Sequence, residues 1–314
     1  MSGRAADLGN VAGKPVAVRH RLGRGGAGLR VSPLLLLPAL LAYGAVVLYP
    51  SIAGAFYAFT NWDGLAQTWS YVGLKNFHTF VHDEEAVASL RNTLLLAVTI
   101  TIVQNAIGLL LALGLTANIK SKNLLRTIFF APALLTPAVI AYLWQYVYGT
   151  RGALNTVLGK LGLEQLQRGW LGETSLALWA IAGVVIWQYA GYSMVIFVAG
   201  LQNVPEELYE AAELDGAGAI RRFWNISWPL IAPATTINLL LSIIGGLKLF
   251  DQIYVMTKGG PGYATETMST IIYKQAFEFG RFGYSTAIAL MLAMIVAAVA
   301  LFQLSLLRRR EMEA

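Results

Sequence analysis

PEELYEAAELDGAGAIRRFWNISWPLIAP, residues Pro205 to Pro233, is a polar, punctuated stretch between two long apolar runs. Glu206, Glu207, Glu210 and Glu213 follow Pro205, and acids in the first turns suit the positive end of a helix dipole. Asn203, three residues before Glu206, suits an N-cap answered by a back-bonding carboxylate. Asp215, Gly216 and Gly218 then break that helix. A second amphipathic turn carrying Arg221, Arg222, Phe223 and Trp224 is expected to run until Pro229 restarts the chain. The pattern predicts a helix, a glycine turn and another helix, set as a loop between apolar segments.

Working outward, the chain of 314 residues is 56% hydrophobic and 13% charged, too apolar for an ordinary soluble protein. Six blocks contain no Asp, Glu, Lys or Arg: 31–62, 92–119, 127–150, 174–205, 223–247 and 282–307. Each exceeds the roughly 20 residues a helix needs to cross the hydrocarbon core, where the backbone must satisfy its own hydrogen bonds. The blocks predict an all-α polytopic membrane protein with helices near 32–59, 91–118, 126–149, 176–201, 231–256 and 283–308, joined between the fourth and fifth by the loop 203–230. The first block is too long for a signal-peptide core and reads as a retained helix.

Lys and Arg set the orientation. Arg4, Lys14, Arg19, Arg21, Arg24 and Arg30 precede the first helix; Lys120, Lys122 and Arg126 lie between the second and third; Arg221 and Arg222 lie in the quoted loop; Arg308 to Arg310 close the last helix. These fourteen of the 23 basic residues, concentrated in short segments, predict that both termini and the loop are cytoplasmic. Residues 1–30, rich in Gly and Arg, are expected to be a disordered basic tail, and 311–314 a short cytoplasmic tail. The net charge of +6 is dispersed over helix ends, which argues against a nucleic-acid partner. No cysteine is present, so disulfides and thiolate metal sites are excluded. Gly23 to Gly28 spells G-x-G-x-x-G, but no strand precedes it.

The loop resembles the signature loop of the membrane subunits of ATP-binding-cassette importers, with Glu210-Ala211-Ala212, then Gly216, then Ile226-Ser227-Trp228-Pro229. The family usually has Leu where Trp228 stands. Two further segments, Tyr71-Val72-Gly73-Leu74-Lys75-Asn76-Phe77 and Phe250 to Pro261, resemble the sugar-importer branch. The resemblance covers nearly the whole chain from the first to the last helix. It implies a six-helix, type I (MetI-like) permease core, similar to the first membrane subunit of maltose- and glycerol-phosphate-type importers. It also implies that Glu210, Ala211, Ala212, Gly216, Ile226 and Pro229 couple the chain to a separate ATPase. The implied partners are a second permease subunit, the chain ending without the G-A-V-K-G-like tail common in the other subunit, together with an ATPase dimer and an extracytoplasmic solute-binding protein. ATP and Mg belong to the ATPase, no cofactor is expected on this chain, and the expected location is the cell membrane of a bacterium or archaeon.

Polar residues in a span face protein, as interhelical glue or lining a pathway. Gln104 and Asn105 read as glue. Gln188, Tyr189 and Tyr192 offer an amide and aromatic rings, the groups that hydrogen-bond sugar hydroxyls and stack on a C–H face. Asn238, the Gly245-Gly246 pair and Lys248 extend the candidate pathway, the glycines as a kink or close approach and Lys248 as an ion-pair partner of Asp251. His78 and His82, four apart beside Asp83, lack a third metal ligand and read as solvated loop histidines.

No Walker-type phosphate loop occurs, so ATP hydrolysis is assigned elsewhere. No nucleophile with a base partner lies within the apolar blocks, and no catalytic residue is expected. An ion-coupled carrier would need an Asp, Glu or His in a span, and the six blocks hold none. The reading is a permease subunit for a mono- or oligosaccharide, with glycerol-phosphate or a related polyol as the alternative cargo.

Overall fold

The computed structural model describes residues 36–116 and 119–311, with side chains to residue 305. The tails at 1–30 and 312–314, and the Gly23–Gly28 motif, lie outside the described residues. The chain divides at Pro50–Ser51 into two units. In the first, residues 36–50 are described and begin α1 (Leu37–Tyr57), which contains a π turn at Gly44–Leu48.

In the second unit follow α2 (Lys75–His82), α3 (Glu84–Thr116), α4 (Lys122–Phe130), α5 (Pro137–Val147), α6 (Ala153–Lys160), α7 (Ala177–Gln202), α8 (Glu206–Leu214), α9 (Ala219–Arg222), α10 (Ala232–Leu247), α11 (Asp251–Thr257), α12 (Met268–Tyr273) and α13 (Phe282–Glu311). Five segments are long and apolar enough to cross a membrane: Leu37–Tyr57, Glu84–Thr116, Ala177–Gln202, Ala232–Thr257 and Phe282–Ser305. Lys122–Leu134 and Pro137–Val147 make the sixth when taken as one span, although they meet at 97°.

That bend corrects the straight helix expected at 126–149. Pro132 closes α4 into a 3₁₀ turn at Ala131–Leu134, and Pro137 pushes Thr136 into an extended conformation (φ −65°, ψ 144°). α3 starts at Glu84 rather than near 91, because the Asp83 carboxylate accepts from the N–H of Glu85 at 3.0 Å. Asn203 does not cap α8; it closes α7, and Pro205 occupies the N-cap position of α8 without a side-chain bond. Pro229 does not restart the chain either. α9 runs on through a π turn at Phe223–Ser227, closed by the Trp228 N–H on the Phe223 carbonyl, into Trp228–Leu230, so Pro229 stands inside the continuing helical stretch.

The helix does not kink at Gly245-Gly246. Those residues stay within α10, and Gly246 lets α3 approach so closely that a Cβ there would sit 2.7 Å from the Ala97 Cα. The break falls at residues 248–250, where the Leu249 carbonyl accepts from Thr267 Oγ1 at 3.2 Å.

The centre of the bundle is α3 against α7 with α10 alongside, joined by amides. Gln104 donates to Ser193 Oγ at 2.8 Å, Asn105 to Ser242 Oγ at 2.8 Å, and Asn238 to the Ser193 carbonyl at 3.0 Å. Gly108 leaves room for Ser193, which its own Cβ would meet at 2.6 Å. In an apolar medium such bonds hold helices in register.

The Val72–Phe77 segment packs on the end of the preceding helix, Asn76 donating to the carbonyls of Ala58 and Thr60 at 2.8 and 2.9 Å. Just before it, the Asp63 carboxylate accepts from the N–H groups of Ala66 and Leu65, bonds that hold its pKa below the ordinary carboxylate value. Near the N-terminal end of α3, Asn92 donates to the carbonyls of Tyr263, Ala264 and Glu266, pinning the loop that follows α11. Glu266 is fully buried there and paired with Lys274. His78 and His82 lie on α2, their rings stacked 4.2 Å apart.

Candidate functional site

Midway along α3 and α7 the bundle lines an open cavity of about 390 Å³. Four segments build its wall. α3 contributes Ile100 and Gln104, the broken span Ala133 and Pro137, α7 Tyr189 and Tyr192, and the stretch through α10 to α11 contributes Asn238, Gly245, Gly246 and Lys248 to Gln252. Six of the seven pathway residues read from the sequence therefore share one cavity. The size is that of a small-molecule site, and the lining is apolar with a few polar groups.

The polar groups differ in freedom. Asn238 is held by Ser193 and Gln104 by the same residue, so both are wall rather than free donors. Tyr192, 39% exposed, has no hydrogen bond among the described residues and turns into the space. Lys248 and Asp251 both line the cavity but form no ion pair with one another, contrary to the expectation from their spacing. The helix break between them removes the i, i+3 geometry that a continuous helix would give. Phe250, its ring stacked on Tyr254 at 5.2 Å, adds a third aromatic to the lining.

Gln188 is the residue that does not join them. It is fully buried, donates to the Leu135 carbonyl at 3.2 Å and accepts from Gln252 Nε2 at 3.1 Å. It ties α7 to the bend between α4 and α5 and to α11, so the shared face with Tyr192 expected from the spacing is not used. Leu135 has a free carbonyl because Pro137 and the extended Thr136 end the helical ladder. The bend itself was missed by sequence reading, and Pro132 with Pro137 was its signal. Gly191 completes the fit: a Cβ there would overlap the Phe129 carbonyl, so only glycine lets α7 pass the end of α4.

At the other end of α7, residues 203–230 project as the expected helix, turn and helix. α8 stops at a glycine cap, with Gly216 at φ +73° and the N–H of Ala217 bonded to the Ala212 carbonyl at 2.8 Å. The Tyr209 and Ser227 hydroxyls meet at 2.8 Å, and Arg222 pairs with Glu213 at 3.0 Å, so the two helices close on each other. Glu210, Ala211 and Gly216 are exposed, whereas Ala212 and Pro229 are half-buried. Ile226 faces inward, packed with Leu115, Phe197 and Ile231. Leu214 (90% exposed), Ile220 (78%) and Trp224 stand out of this polar loop into open space. Sequence reading placed Trp224 in the second amphipathic turn and passed over Leu214 and Ile220, because single apolar residues in a loop carry no period.

A polytopic helical protein with a mid-bundle cavity and a projecting polar loop bearing exposed apolar side chains belongs to the class of membrane transport proteins. Residues 104–311 match the family described as "Binding-protein-dependent transport system inner membrane component". The chain is 35% identical over 280 residues, 89% of its own length and 94% of the other, to the probable starch degradation products transport system permease protein AmyD of Thermoanaerobacterium thermosulfurigenes. It is 33% identical over 263 residues, 84% and 90% of the two chains, to the multiple sugar-binding transport system permease protein MsmF of Streptococcus mutans. A chain of the bacterial alginate ABC transporter, solved in complex with an alginate pentasaccharide-bound periplasmic protein, superposes with a TM-score of 0.78 at 23% identity, covering 90% of this chain and 95% of that one. That likeness establishes the MetI-like fold. The chain belongs to the family of binding-protein-dependent importer permeases.

Proposed function

We propose that the chain forms half of the translocation pathway for a mono- or oligosaccharide and is driven by a separate ATPase through the 205–229 loop. The cavity is the observation that carries the cargo. Tyr189, Tyr192 and Phe250 offer ring faces, and Lys248 and Asp251 offer unshared polar groups, which is the mixture that a sugar's C–H faces and hydroxyls require. Relatives named for starch products and multiple sugars support the class. A glycerol-phosphate or related polyol is the second reading. It is favoured by the unpaired Lys248 and by a relative named for sn-glycerol-3-phosphate, 31% identical over 290 residues.

The loop supports the ATPase as partner. Glu210 beside the small Ala211 presents an acid where a partner's backbone can come close, and Leu214, Ile220 and Trp224 supply apolar area to bury. ATP and Mg are then held by that partner, and this chain performs no catalysis. A second permease subunit, an ATPase dimer and an extracytoplasmic binding protein complete the assembly. The excess of Lys and Arg on the loop's side supports a cytoplasmic location for both termini and the loop, and the proposed membrane is the cell membrane of a bacterium or archaeon. ATP closure of the ATPase brings the coupling loops together, and differential contact in the two states reopens the cavity to the other side.

The test is purification of the detergent-solubilised chain from its native membrane with everything bound to it, followed by ATPase and reconstituted uptake assays across a sugar panel. The expected result is an ATPase, a second permease and ATP-dependent uptake of one sugar class. Recovery of the chain alone without nucleotide hydrolysis overturns the assignment.

A further inference from the structure

A second cavity, of about 460 Å³, lies at the loop end of the bundle. Three cations line it: Lys122 and Arg126 from α4, and Arg222 from α9. Tyr209, Phe223 and Ser227 form the facing wall, with Leu113 and Leu201 giving it an apolar side. Only Arg222 has a carboxylate partner among the described residues, the largely exposed Glu213. Lys122 makes no ion pair or side-chain hydrogen bond among them.

Arg126 is the informative residue. One terminal nitrogen donates to the Leu115 carbonyl at 3.0 Å, while its Nε–H is buried without an acceptor. An unsatisfied charged donor beside two further cations is costly unless an anion completes it. The positive-inside pattern accounts for the presence of the cations at this end. It does not account for their convergence from two elements on one cavity.

We propose that this cavity binds a phosphate-type oxyanion, carried by the headgroup of an anionic membrane lipid. A guanidinium and an ammonium presented together suit phosphate oxygens, and basic pockets between helices at the membrane face are sites for such headgroups. Lys122 and Arg126, four apart on α4, share the face toward the cavity, and Leu113 and Leu201 give the same cavity an apolar side. A lipid can place its phosphate on the cations and the start of its chains along these leucines. The bound headgroup bridges α4 to α9 and to Tyr209 of α8, bracing the coupling loop against the bundle. The identity of the leaflet rests on the proposed orientation; the chemistry of the site does not.

The experiment uses the co-purified assembly in discs of phosphatidylcholine doped with phosphatidylglycerol. After exchange into pure phosphatidylcholine, retained phosphatidylglycerol is counted by native mass spectrometry, and uptake plays no part in the readout. Wild type is expected to retain it. Lys122→Gln should weaken retention about five-fold and Lys122→Gln with Arg126→Gln about 30-fold, at a headgroup contribution near that usual for each surface cation. Lys122→Gln breaks no bond seen in the fold, so its loss of lipid at an unchanged melting temperature separates binding from folding. Inorganic phosphate at constant ionic strength is the second probe, read by protection of Lys122 from an amine-reactive reagent. Protection by phosphate without lipid retention keeps the oxyanion site and replaces the lipid by a soluble phosphate. Absence of both retention and protection overturns the proposal and leaves the importer reading untouched.

Discussion

The loop at 203–230 and the cavity between α3, α7 and α10 do different work and are written differently in the sequence. The loop's candidate residues lie within 20 positions, Glu210 to Pro229, and Glu210, Ala211 and Gly216 among them are exposed, so their chemistry is local. The cavity is assembled from four segments spread from Ile100 to Gln252, and each wall residue depends on how its neighbours pack. An exposed docking element tolerates little change in charge and much change in volume. A packed cavity wall behaves in the opposite way, because its interior has no slack.

Charge reversal in the loop is the strongest way to break that comparison. Glu210→Lys changes no contact within the chain, since Glu210 is exposed and unpaired among the described residues. The fold should keep its melting temperature. A like-charge contact at a docking surface costs several kcal/mol, so ATP-driven uptake should fall by more than about 100-fold. Reconstituted uptake alongside ATPase activity checks this, and wild-type uptake removes the coupling role from Glu210.

Volume in the bundle comes next. Gly191→Ala forces a methyl group into the Phe129 backbone at the broken span, where nothing flexible can yield. Overpacking of this kind costs about 1–3 kcal/mol, and the bend carries Ala133 and Pro137 of the cavity wall. The variant should melt earlier and lose uptake together, as followed by thermal scanning in detergent. An unchanged melting point would mean that the bend relaxes freely and does not shape the cavity.

Within the cavity, Gln188 and Tyr192 divide the roles that their spacing assigned jointly. Gln188→Ala leaves the Leu135 carbonyl and the Gln252 amide unsatisfied, which should cost about 1–3 kcal/mol of stability. Tyr192→Ala removes an exposed ring and no bond, so stability should hold while the KM for uptake rises about 3- to 10-fold, the range of one aromatic contact. Uptake kinetics and melting curves on both variants separate them. Equal loss of stability in the two would return Tyr192 to packing.

These pairs show what could be read in advance. The apolar blocks matched four spans to within five residues at each end and overlapped a fifth, because hydropathy measures the one property a membrane demands. The Lys122–Val147 span escaped because its break depends on two prolines whose effect a hydropathy window averages away. α3 began seven residues early because the cap at Asp83 is a hydrogen bond, not a composition. Of the residues read from their types as pathway, Tyr192 and Lys248 line the cavity. Which face Gln188 takes was settled only by the carbonyl that Pro137 frees at Leu135, a partner 53 residues away. Lys122 and Arg126 were legible as topology and illegible as a pocket for the same reason, since Arg222 joins them only in space.

Gly216→Ala is the mildest test and the sharpest for the loop. Gly216 sits at φ +73° in the cap that closes α8, and nothing lies within 4 Å of where a Cβ would stand. The chain alone therefore charges only for the left-handed backbone, about 1 kcal/mol. If Gly216 serves only the turn, the melting temperature falls slightly and uptake stays within about twofold. The empty space around it is also what a partner's surface would fill. Uptake lost more than about tenfold at a nearly unchanged melting temperature would mean that the added methyl meets the ATPase, and the glycine would then be a contact as well as a cap. The same substitution thus measures how closely the docked partner approaches a turn that the isolated chain leaves open.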